Sequence, residues 1–193
     1  MFTYLCSTKK VCDLTRKNLF YLSLLTLFGF SIIGLLIIYY IQGIEIVDFF
    51  SKGESISKQL MIGLSTGLVT ALLAILIIRL PSFQKSRLFF KNLFSRINPG
   101  FHHILFYSFC AGVGEEIFFR GAVQPFLGIW ITSIIFVLLH GYISFKNLPL
   151  TLYGIFLILV SSSFGYLFDI YGIFACIAAH FLFDVILFLY IRK

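Results

Sequence analysis

Residues 101–140 read FHHILFYSFCAGVGEEIFFRGAVQPFLGIWITSIIFVLLH, and this stretch decides the fold. Its only Asp, Glu, Lys or Arg residues are Glu115, Glu116 and Arg120, set between the apolar runs Phe101 to Gly114 and Gly121 to Phe145. A spanning helix needs roughly 20 apolar residues. An ionisable group inside one is costly and usually functional. The stretch therefore predicts two consecutive membrane helices carrying titratable groups at depth, with a turn near Pro125 to Gly128. Continuous apolar runs exclude β-barrel strands, which alternate.

The same pattern extends in both directions. Asn18 to Ile44 and Gln59 to Ile78 hold no charged residue except at their margins, nor does Asn147 to Phe168. Ile170 to Phe183 continues past Asp184 to Ile191. The expected fold is an all-α polytopic transmembrane bundle of about six spans. Composition agrees: 60% of the 193 residues are apolar and 12% charged, with mean hydropathy +1.00. Soluble domains average about 25% charged, so an ordinary soluble globule and a disordered chain are both excluded. The first apolar run is longer than the 7–15 residues of a signal-peptide core and no A-x-A-like site follows it, so it is read as a retained span.

The net charge is +7. In a membrane protein such an excess reflects topology rather than nucleic-acid binding. Lys9, Lys10, Arg16 and Lys17 precede the first span. Arg79, Lys85, Arg87, Lys91 and Arg96 follow the second, Lys146 follows the fourth, and Arg192 and Lys193 end the chain. All of these fall on one side of a six-span chain, leaving Lys52, Lys58 and Arg120 elsewhere. Both termini are therefore expected in the cytoplasm.

The loop Arg79 to Gly100, with Pro81, Pro99, basic residues and Phe89, Phe90 and Phe94, reads as an interfacial helix. It divides residues 1–98 (tail, two accessory spans, basic loop) from a four-helix core at 99–193. The four cysteines, Cys6, Cys12, Cys110 and Cys176, have no zinc-knuckle or disulfide spacing. Cys6 and Cys12 are expected as reduced tail thiols, Cys110 and Cys176 as small buried hydrophobes.

The intramembrane ionisable residues all lie in the last four spans: Glu115, Glu116, Arg120, His140, His180 and Asp184. Glu116 and Arg120 are i and i+4, so they share a helix face and can pair. His180 and Asp184 repeat that interval, as do Phe136 and His140. Glu115 points about 100° away from Glu116, so one carboxylate is expected to be neutralised by Arg120 and the other to face a cavity. Measured from a turn near Pro125 to Gly128, Glu115 and His140 each lie about 18 Å down facing helices. His180 lies about 16 Å below the last outer connection. His140 is only six residues from Lys146, which requires its helix to bend or to end in a short loop. His102 and His103, beside Pro99, read as interfacial. Ser161, Ser162 and Ser163 with Gly165 read as close helix packing; a serine nucleophile there would need His140 or His180 as its base.

EExxxR at Glu115–Arg120, FxxxH at Phe136–His140 and HxxxD at His180–Asp184, in this order on successive apolar segments, resemble the CPBP family. That family comprises CAAX prenyl endopeptidases of the Ras-converting-enzyme type and Abi-type bacteriocin-processing proteins. The resemblance covers about Phe101 to Tyr190. It implies an intramembrane endopeptidase acting on a membrane-associated peptide or protein, in bacteria for peptide maturation or self-immunity. Glu115 would be the general base that activates water, and His140 would hold the same water. His180 and Asp184 would stabilise the oxyanion, with Glu116 and Arg120 as the supporting pair. Family members often carry Asn where this chain has Asp184. Asp184 either stays protonated, fixes the His180 tautomer or ligates a metal. Glu115, His140, His180 and Asp184 are also a plausible zinc set, so the cofactor is either none or zinc. Two other functions compete: a catalytically silent scaffold or immunity protein, and a proton-coupled transporter.

Overall fold

The computed structural model describes residues 15–143 and 147–192; Cys6, Cys12, Lys9, Lys10, Lys146 and Lys193 lie outside them. The described helices are α1 (Arg16–Ile41), α2 (Ile46–Ser51), α3 (Ile56–Arg79), α4 (Gln84–Ile97), α5 (Phe101–Glu116), α6 (Gln124–Leu139), α7 (Leu148–Tyr171) and α8 (Ile173–Arg192). A π-helical stretch, Ile117–Val123, joins α5 to α6. No strand occurs among the described residues. In hydrocarbon every backbone polar group must be satisfied within its own segment, which leaves helices as the outcome for uncharged runs. Local signals set the ends. The Thr15 side chain accepts from the Asn18 amide and starts α1, and Asn147 accepts from the Leu150 amide to start α7.

Five helical runs are long and apolar enough to cross a membrane, which makes the chain an integral membrane protein. The count of about six needs refinement at the third run, Phe101–Leu139, 39 residues long. Straight, it would extend about 58 Å, nearly twice a hydrocarbon core of about 30 Å. It is not straight. Gly128 adopts φ 74°, ψ 169°, a conformation open essentially to glycine alone. Beyond it the chain doubles back. Arg120 Nη1 donates to Ser133 Oγ, 13 positions on, at 3.4 Å, and the Phe119 and Phe136 rings stand 5.1 Å apart.

The helical part of the returning limb, Gly128 to Leu139, rises only about 18 Å. The expected fourth span, drawn to Phe145, thus ends as helix at Leu139. His140 caps it, and Gly141, at φ 73°, turns the chain away. This early end places His140 at the depth that a full-length helix would have denied it.

Helix α8 is the axis of the bundle. Helix α3 runs parallel to it, and small residues let the two backbones meet. A Cβ on Gly63 would press on the Ala175 carbonyl oxygen, and one on Gly67 on that of Ala179. Ala71, Ala74, Ala175 and Ala179 are buried along the same seam. Between helices in lipid, such van der Waals packing replaces the hydrophobic effect as the cohesive force. On its other side α8 meets α5 at Gly112. At the end where α3 begins, Gln59, 1% exposed, donates to the Glu54 carbonyl at 2.7 Å and accepts from the Phe174 amide at 3.0 Å.

Candidate active site

Glu115 and Glu116 close α5, and the π-helical stretch that follows carries Arg120. Such stretches often sit at functional sites. The angular step between neighbours on a helix sends the two carboxylates to different places. Glu116 is fully buried. Glu115 faces a cavity of about 250 Å³ whose wall also carries His140, Tyr142, Ser161, His180 and Asp184.

The buried carboxylate is bound on both oxygens. Glu116 Oε2 accepts from Arg120 Nε at 3.0 Å, and Oε1 lies 2.7 Å from His180 Nδ1. A carboxylate paired with arginine is an acceptor only, so His180 Nδ1 carries a proton and donates it. Arg120 is itself fully buried. Its Nη2 donates to Ser161 Oγ at 2.6 Å, and its guanidinium stands 5.8 Å over the Phe136 ring. The other face of the His180 ring is turned to Asp184, Nε2 to Oδ2 at 3.8 Å, beyond hydrogen-bond length. Glu116, rather than Asp184, therefore holds the His180 ring, through Nδ1.

Glu115 meets the returning limb. Its Oε2 lies 3.6 Å from His140 Nε2, and this buried oxygen has no hydrogen-bond partner among the described residues. His140 Nδ1 lies 2.7 Å from the Phe136 carbonyl oxygen, which also accepts from the His140 backbone amide at 3.3 Å. A carbonyl only accepts, so Nδ1 carries a proton, and Nε2 faces Glu115. A gap of this length between polar atoms suits a bridging water. The FxxxH spacing serves two purposes, since the Phe136 ring also lies 4.3 Å from the imidazole.

All six sequence-predicted residues converge here, from α5, the π-helical stretch, the end of α6, and α8. The expected division of labour holds in space: one carboxylate is paired with Arg120, the other opens to the cavity. His102 and His103 begin α5 away from the cavity lining, and Cys110 and Cys176 are buried free thiols. Among the described residues no three His, Cys, Asp or Glu side chains are grouped to hold one metal ion, so the four-donor zinc set is not assembled around one point. A reading that weighs only ionisable groups passes over Ser133 and Ser161, which ligand the guanidinium, and Tyr142. Their signal is a polar side chain within an apolar run.

Residues 97–186 match the family model described as type II CAAX prenyl endopeptidase Rce1-like. A curated relative, the uncharacterized protein YpbD of Bacillus subtilis (strain 168), is 32% identical over 97 residues, covering 50% of this chain and 48% of the relative. The match thus spans about half the length of that relative. No solved structure matches the chain.

Proposed function

We propose, from the match of residues 97–186 to the Rce1-like model of type II CAAX prenyl endopeptidases, that the chain is an intramembrane endopeptidase using a glutamate-activated water. The supporting observation is the Glu115 Oε2 to His140 Nε2 gap of 3.6 Å, opening on a cavity that also holds His180 and Asp184.

A water seated there gives one hydrogen to the Glu115 carboxylate and the other to the His140 lone pair, which leaves its oxygen free to attack. As the O–C bond forms at the scissile carbonyl, Glu115 takes the water proton. The carbonyl becomes an oxyanion facing the His180 side of the cavity, where a doubly protonated imidazole donates through Nε2. Collapse of that intermediate breaks the C–N bond, and the proton held by Glu115 passes to the departing amine. The new carboxylic acid gives its remaining proton to the amine, so the products are a carboxylate and an ammonium group, and the carboxylate of Glu115 is restored. General base catalysis of this kind contributes about 10²–10⁴-fold, and a preorganised oxyanion donor about 10²–10³-fold. No step passes through a metal.

The substrate is a membrane-associated peptide or protein segment, cleaved by residues 99–193 as the catalytic unit, with residues 1–98 supporting them. The basic residues at the ends support a topology with both termini in the cytoplasm, and the setting proposed with it is a bacterial plasma membrane, with a role in peptide maturation or self-immunity. The test is cleavage of a farnesylated CAAX peptide by purified protein in nanodiscs. Wild type should cleave, and Glu115→Gln should fold normally and not cleave. Equal turnover by the two would refute the assignment, and a phenotype kept by inactive Glu115→Ala would mark a scaffold.

A further inference from the structure

Ser161 has a hydroxyl whose acceptor side is committed and whose proton is not. It is 3% exposed, lines the cavity and accepts from Arg120 Nη2 at 2.6 Å. A serine hydroxyl offers one donor besides its lone pairs. In helices that proton ordinarily goes to a carbonyl of the preceding turn. This chain shows the habit repeatedly: Ser163 donates to Val160 at 2.6 Å, Ser65 to Met61 at 2.8 Å and Ser23 to Leu19 at 2.9 Å. Among the described residues no acceptor takes the Ser161 proton. A buried donor left unpaired is costly, so its presence in the wall of a reaction cavity calls for an acceptor that arrives with the substrate.

The surroundings say which acceptor. The ion pair Glu116–Arg120 holds two groups at that wall, one from each of two helices. Glu116 fixes His180 of α8, and Arg120 fixes Ser161 of α7. Donation from a cation to the hydroxyl oxygen polarises the O–H bond outward and strengthens the bond it can donate. The same donation ties up the oxygen lone pair, which makes Ser161 a poor nucleophile.

We propose that Ser161 is a second hydrogen-bond donor to the oxyanion, acting beside His180 and presented by Arg120. This rests on the endopeptidase reading above. Ser161 keeps its proton throughout: the hydrogen bond shortens as charge gathers on the carbonyl oxygen and relaxes as the C–N bond breaks. Its contribution is made in the transition state and not in the ground state, so it falls on kcat rather than KM.

The test uses the full chain in nanodiscs with the farnesylated CAAX peptide, comparing wild type, Glu115→Gln, Ser161→Ala and Ser161→Thr, each corrected for folded fraction by thermal melting. Ser161→Ala should lower kcat by about 10²–10³-fold with KM unchanged. Ser161→Thr, which keeps the hydroxyl, should recover most of the loss. Should Ser161→Ala fail to fold, Ser161→Cys takes its place, since a thiol keeps the volume and is a weak donor; its kcat should fall likewise. Wild-type kcat in Ser161→Ala, or in the Cys variant where it stands in, beside an inactive Glu115→Gln, overturns the role of Ser161 and leaves the peptidase intact. Equal impairment of the Ala and Thr variants also overturns it, as a packing effect would do that. No cleavage by wild type overturns both.

Discussion

His180 donates to Glu116 across 2.7 Å although 64 positions separate them in the chain. The carboxylate that neutralises Arg120 thus also aims an imidazole of the reaction cavity. In the mechanism proposed, stability and catalysis meet in one side chain, and substitutions can separate them.

Arg120→Ala leaves the fully buried Glu116 without its cation. Breaking a buried pair by removing one partner costs about 3–5 kcal/mol, so the folded yield should fall sharply in fluorescence-detected size-exclusion chromatography. Removing both charges, Glu116→Leu with Arg120→Met, should restore most of that yield. The double variant should still not cleave, because His180 has lost the acceptor that orients it. Cleavage at the wild-type rate would separate the pair from the chemistry.

His140→Ala removes one of the two groups facing the proposed water and leaves the buried pair untouched. Single-turnover cleavage should slow by about 10²–10⁴-fold, with the melting temperature close to wild type. A large loss of stability instead would mark His140 as a structural cap of α6.

Gly67→Ala and Gly128→Ala make the same chemical change for different physical reasons. At Gly67 the new Cβ meets the Ala179 backbone, which no rotamer change relieves. Overpacking of this kind costs about 1–3 kcal/mol, and the forced shift of α8 carries His180 with it, so turnover per folded molecule should fall as well. At Gly128 nothing lies within 4 Å, and the cost is backbone strain alone, about 1–3 kcal/mol. Melting temperature should drop there while turnover per folded molecule holds. Thermal melts paired with the peptide assay read both.

No three donor residues are grouped around one point among the described residues. Elemental analysis of the purified chain should therefore find zinc well below one per molecule, and 1,10-phenanthroline should leave cleavage unchanged. Stoichiometric zinc with chelator-sensitive cleavage would reassign Glu115 and His140 as ligands.

What the sequence disclosed was whatever depends on neighbours along the chain. Uncharged runs located the helices, the i, i+4 intervals paired Glu116 with Arg120, and Pro125 to Gly128 marked the reversal. The end of α6 was hidden because hydropathy stays high through Phe145, and only Gly141 hints at the stop. The bonds from Glu116 to His180 and from Arg120 to Ser161 depend on how four helices are rotated about their axes, which no local pattern records. The parallel seam between α3 and α8 was visible in principle, as the Gly63 and Gly67 interval, but hydropathy does not weigh small residues.

The half-length limb from Gly128 to His140 acts as a depth gauge. The number of residues in it sets His140 level with Glu115, across the 3.6 Å gap in which the proposed water sits. Deleting one helical turn there would withdraw His140 by about 5.4 Å and abolish the proposed cleavage while leaving Glu115 in place.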